Sequence, residues 1–302
     1  MALFDSQWLN RLRYLSLASR RAGGGILAGP RAKRPTFGRC PAGGTELGGH
    51  RDYAPGDDYR QIDWNLCARH DELLTKQFPG EADRPVYLLL DCSRSMALGR
   101  PSKFDVGRQV VAALAYVALA ELEQVSVLAF SDRIVANFGP IRDKRRILKL
   151  VRFLEGLAPR RGPTDLAAAV EGFVGRWQRH GLAVVVSDWY DAGGFRRGLD
   201  ILRRRDYPPR VVQLYDPRDA ELDAIGDSEL VDVESGVSWQ VTVTERHLAR
   251  YRRLHAEFHH SVRSYCVGRS LPCARVPIDL PPEKLLLTAI GVRAEGRGVR
   301  DR

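Results

Sequence analysis

The chain has 302 residues, 44% hydrophobic and 8% aromatic, which supports a sizeable core and excludes a disordered protein. Its formal charge is +10 at pH 7, and the excess is uneven, with eight Lys or Arg against two Asp or Glu in residues 1–50. The longest apolar run, Val110 to Ala120, is too short to span a bilayer, the N-terminus lacks a secretory signal pattern, and five scattered cysteines (Cys40, Cys67, Cys92, Cys266, Cys273) fit free thiols, so a cytoplasmic protein without a membrane span is expected.

In chain order, residues 1–25 read as an amphipathic helix with Trp8, Leu12 and Leu15 on one face, ending in Gly23-Gly24-Gly25. Residues 26–50 are rich in Gly, Pro and basic side chains without periodicity, which predicts a loop. Residues 51–83 carry a dense polar motif, and with residues 1–50 they form an N-terminal extension, 1–83, ahead of a core at 84–302. From Val86 the pattern alternates between strand and helix. Strand 86–91 precedes an apolar helix at about 103–122, then strand "VSVLAF" (125–130) and an edge strand near 134–138. Helices at 143–157 and 165–180 follow, the second stopped by Gly181, before the apolar strand "LAVVVSD" (182–188). A helix at 194–206 and strand 210–216 complete the alternation. It predicts a doubly wound α/β fold with a mostly parallel sheet covered on both faces. A C-terminal elaboration has a hairpin at 230–243 turning at Glu234-Ser235-Gly236, a helix at 245–265, a strand near 275–278 and a helix at 282–292.

The two most apolar strands both end in aspartate, Asp91 and Asp188. Ligands of open α/β sheets bind outside the carboxyl ends of the strands, where the strand order reverses. Ser93 and Ser95 follow Asp91 at every second position, and Thr164 lies in a loop just before a helix. All five are hard oxygen donors, the chemistry that Mg²⁺ or another hard divalent cation takes in near-octahedral geometry. Neutral hydroxyls leave the ion much of its charge, so a carboxylate from a partner can fill an open position. Single residues of this kind also cap loops and helix starts, which is the structural alternative.

"DCSRS", Thr164 and the "SD" at 187–188 resemble the metal-ion-dependent adhesion site of von Willebrand factor A domains. That resemblance implies direct ligation by Ser93, Ser95 and Thr164, and direct or water-mediated ligation by Asp91 and Asp188.

Upstream, "RDYAPGDDYRQIDWNLCARHDELLTKQF" interleaves Arg51, Arg60 and Arg69 with Asp57, Asp58 and Asp63, and Pro55-Gly56 sets a turn. Such interleaving predicts an ion-pair network with Trp64 packed beneath it. With "TELGGH" before it and "KQF" at its end, the segment resembles the signature of the bacterial domain-of-unknown-function-58 family, carried here by Arg51, Tyr53, Gly56, Asp57, Asp58, Arg60, Asp63, Trp64 and Arg69. Leu47 stands where that family usually has an aromatic. The resemblance implies a von Willebrand factor A-like, Rossmann-type core. It also implies a non-enzymatic adaptor or co-chaperone for a MoxR-type AAA+ ATPase, acting on a client protein that offers an acidic residue to the metal.

Other chemistries lack their residues. Phosphorylated-aspartate enzymes need a second Asp two positions after the first, where this chain has Ser93; no Walker A loop and no nucleophile elbow is present. His255 and His259 are spaced i, i+4, but Glu257 does not directly follow the first, so the metalloprotease order fails. Two classes therefore remain: the metal-dependent protein-binding module, which is favoured, and a nucleic-acid-associated protein using the basic residues of 11–39.

Overall fold

The computed structural model describes residues 85–160, 162, 164–191, 193–221 and 225–290, together with Phe4, Trp8, Leu12, 50–52, Trp64, Cys67 and 73–76. It divides into two compact units, one of residues 1–29 and 85–302 and one of residues 30–84. The smaller unit contains an antiparallel pair, β1 (His50–Asp52) and β2 (Leu74–Lys76).

In the larger unit a six-stranded sheet is built from β3 (Val86–Asp91), β4 (Val125–Phe130), β5 (Ile134–Ile141), β6 (Leu182–Ser187), β7 (Pro209–Tyr215) and a later strand, Cys273–Pro277. A two-stranded hairpin, β8 (Gly226–Val231) with β9 (Ser238–Val243), separates β7 from that last strand, β10. The sheet order is β10-β7-β6-β3-β4-β5, parallel throughout except at β4–β5. β3 and β6 are buried along their whole length, as unbroken apolar runs in a central parallel position require.

The helices are α1 (Lys103–Ala120), α2 (Ile147–Glu155), α3 (Leu166–Arg176), α4 (Phe195–Arg204), α5 (Glu245–Gly268) and α6 (Pro282–Ile290). Side chains of β3 alternate between two cores. Val86, Leu88 and Leu90 join α1, α2 and α6, whereas Tyr87 and Leu89 join α3, α4 and α5. Trp8 and Leu12 are helical and buried in the first core; Leu15 lies outside the described residues.

Two expectations change. The helix predicted to run to 180 ends at Arg176, so Gly181 does not stop it. Gly181 instead starts the approach to β6, where a Cβ would stand 2.1 Å from the Pro85 carbonyl oxygen. Trp64 is 63% exposed rather than packed beneath an ion-pair network.

Candidate functional site

The chain runs from β3 to β4 on one side and then to β6 on the other, so the strand order reverses between β3 and β6. Asp91 ends β3, and Asp188 directly follows β6. Topology alone thus brings both carboxylates to one crevice. Both are buried, as are Ser93, Ser95 and Thr164.

Asp91 accepts hydrogen bonds from the Ser93 amide (Oδ1, 2.8 Å) and the Ser187 hydroxyl (Oδ2, 2.6 Å). Ser187 in turn accepts from the Trp189 amide at 2.8 Å, which fixes its hydroxyl on Asp91. Among the described residues no basic side chain pairs with Asp91. Burial, and then the charge of Asp188, raise its pKa to about 7. The Ser93 and Ser95 hydroxyl oxygens lie 3.0 Å apart, and the Ser95 hydroxyl acts on Asp188 to favour its charged form. Four of the five predicted positions therefore form one connected cluster.

Asp188 has a cation of its own. Lys103, the first residue of α1, is 1% exposed and places its Nζ 3.3 Å from Asp188 Oδ2 and 3.2 Å from Asp219 Oδ2. The ammonium also sits 5.0 Å from the centre of the Tyr190 ring. Burial works to lower the Lys103 pKa, but Asp188 and Asp219 outweigh it and hold it above the ordinary lysine value. Asp188 is raised by burial, with Lys103 opposing. One lysine thus serves two carboxylates, Asp188 and Asp219, and leaves Asp91 without a basic partner among the described residues.

Thr164 stands apart from the other four. Its loop is tied to theirs, since the Arg160 amide donates to the Cys92 carbonyl at 2.7 Å and the Asp165 amide to the Ser131 carbonyl at 3.2 Å. Its hydroxyl, however, donates to Glu234 Oε1 at 2.7 Å, and its amide reaches Glu234 Oε2 at 3.4 Å. Glu234 is in the turn between β8 and β9.

Residues 49–262 match the family described as a protein of unknown function, DUF58, over well more than half of the chain. The chain belongs to the DUF58 family. Uncharacterised proteins of Mycobacterium tuberculosis and Mycobacterium bovis are each 29% identical over 239 residues, spanning 77% of this chain and 73% of theirs. Among solved structures, the conserved hypothetical protein BatB from Bacteroides thetaiotaomicron is similar at 14% identity and a TM-score of 0.42, covering 68% of this chain and 97% of BatB.

Of the DUF58 signature residues, Arg51 lies in β1 and Trp64 is exposed; Tyr53, Gly56, Asp57, Asp58, Arg60, Asp63 and Arg69 lie outside the described residues, as does the basic loop 26–45. Cys92, Cys266 and Cys273 are free thiols. Among the described residues no group of three or more His, Cys, Asp and Glu is arranged to hold a metal ion, and no helix is long and apolar enough to cross a membrane. His259 is a core histidine, its Nδ1 3.0 Å from the Gln213 amide nitrogen and its Nε2 3.1 Å from His255.

Sequence reasoning missed Ser187 as an Asp91 partner, and it missed Lys103, Asp219 and Glu234 altogether. Lys103 did leave a signal. A lysine at the first position of a helix opposes the macrodipole, an arrangement that needs a nearby carboxylate. The donor set otherwise suits a hard divalent cation. Asp91, Ser93, Ser95 and Asp188 supply clustered oxygens, and Thr164 keeps hydroxyl lone pairs free while its proton goes to Glu234.

Proposed function

We propose that this DUF58 chain is a non-enzymatic, metal-dependent protein-binding module of von Willebrand factor A type. Asp91, Ser93, Ser95 and Asp188, with Thr164, would hold Mg²⁺ and present it to an acidic side chain of another protein. When bound, the ion would supply a positive charge able to accept that carboxylate. The observation that carries the reading is Asp91: a buried carboxylate with no basic partner among the described residues, packed against a hydroxyl pair at the point where the strand order reverses. A buried carboxylate of this kind either takes up a proton or takes a cation.

The likeness to proteins encoded beside MoxR-type AAA+ ATPases extends the reading. In it the chain is an adaptor or co-chaperone that links such an ATPase to a client. Titration of the EDTA-stripped chain with Mg²⁺ by calorimetry tests the site. Saturable one-to-one binding in the parent, lost in Asp91→Ala and Ser93→Ala, is the expected result. Binding that survives both changes would assign the metal elsewhere. A pull-down with and without EDTA against the purified ATPase tests the partner.

A further inference from the structure

The hairpin β8–β9 is exposed along most of both strands, and Leu230 and Trp239 face each other across it with their side chains about half exposed. An arm so lightly packed opens more easily than the sheet behind it. Its tip, by contrast, is tightly built. The Asp232 carboxylate accepts from the Glu234 amide at 3.0 Å and from the Ser235 hydroxyl, and the Gly236 amide closes on the Asp232 carbonyl at 2.8 Å. Gly236 takes φ +75°, which a side chain would strain. This turn aims Glu234 at one place, the hydroxyl and amide of Thr164. Glu234 is half-buried there and has no basic partner among the described residues. A carboxylate held by one hydroxyl and one long amide contact retains unused acceptor capacity.

We infer that Glu234 is a built-in occupant of the partner's position: the chain caps its own binding face with the hairpin tip, and an acidic residue of another protein must displace it. This rests on the metal-dependent reading for what lies beneath the cap, but the latch itself is a contact between Glu234 and Thr164. The partner is thereby specified as a carboxylate carried on a narrow, exposed turn, able to compete with the sequence Asp232–Gly236.

The test uses the full chain in two arms. In EDTA, amide hydrogen exchange of residues 226–243 is compared among the parent, Glu234→Ala, Thr164→Val and Thr164→Ser. Loss of a charge-assisted hydrogen bond is expected to speed hairpin exchange about ten- to hundredfold in the first two variants, with Thr164→Ser near the parent. Circular dichroism verifies that each variant keeps its fold. In Mg²⁺, acetate is then titrated while the Thr164 and Ser93 amide resonances are followed. Saturable shifts in Glu234→Ala and none in the parent support self-capping. Parent-like exchange in both Glu234→Ala and Thr164→Val, with no acetate response although calorimetry shows Mg²⁺ bound, overturns the latch and leaves the metal reading standing. Faster exchange in a chain that binds no Mg²⁺ supports the latch and removes the metal reading instead.

Discussion

Lys103→Met is the most informative single change outside the predicted donors. Methionine keeps the apolar stem and removes the ammonium that lies 3.3 Å from Asp188 and 3.2 Å from Asp219. Asp188 then remains fully buried without a cation, whereas the Asp219 side chain is 30% exposed and keeps water. Removing one partner of a buried pair costs about 3–5 kcal/mol, and with only Asp188 stranded the lower end applies, about 3 kcal/mol. For a domain of this size that lowers the unfolding temperature by roughly 6–12 °C. Thermal unfolding in EDTA, followed by far-ultraviolet circular dichroism, measures it. The double variant Lys103→Met/Asp188→Asn should regain at least half of the loss, because the stranded charge is gone. Mg²⁺ should raise the unfolding temperature of Lys103→Met more than that of the parent, since a cation in the crevice replaces the missing ammonium. A loss under about 1 kcal/mol, or no recovery in the double variant, would refute the account of Lys103 as the counter-ion of Asp188.

Burial, then the charge of Asp188, raise the Asp91 pKa from its ordinary 3.8 to about 7, so the folded chain holds an extra proton between those values. The contribution of Asp91 to metal-free stability should therefore be lost as pH rises from about 4 to 7; relative to the parent, Asp91→Asn should remove that component in urea titrations and abolish any response to Mg²⁺. His259 shows the opposite sign. Burial, then His255, depress its pKa to about 4, so the unfolded chain gains a proton first and the contribution of His259 is lost as pH drops from about 6.5 towards 4, opposing that of Asp91. In His259→Gln that acid-side loss should shrink, as read from urea midpoints across the window. Gly181→Ala forces a Cβ to 2.1 Å from a backbone oxygen and should lower stability by about 3 kcal/mol, measured by urea unfolding; a neutral result would mean that the strand entry relaxes freely.

The centre of the sheet was legible because its two middle strands are continuous apolar runs, with "YLLL" and "VVV" at their heart, bounded by helices of clear periodicity. Asp91 and Asp188 were legible for a related reason: a charge that ends a buried strand can only stand at the sheet's edge. What could not be read were contacts set by tertiary approach. Lys103 looked like an ordinary helix-start residue until α1 carried it between two carboxylates. Glu234 looked like turn chemistry, which it is, while its side chain closes on a threonine 70 positions earlier. Gly181 carries the same lesson in the backbone. A glycine after a helix suggests a stop, yet here the missing Cβ makes room for Pro85. Trp64 failed as a core residue because aromatic character alone does not say whether a neighbouring layer exists to cover it.

The most direct test is an anomalous difference map from crystals of this chain grown with Mn²⁺ in place of Mg²⁺. The account predicts one strong peak in the crevice between β3 and β6, about 2.1 Å from the hydroxyl oxygens of Ser93 and Ser95, with Asp91, Asp188 and Thr164 directly or through water in its shell. A crevice without a peak at saturating Mn²⁺, with Lys103 still paired to Asp188, would contradict it.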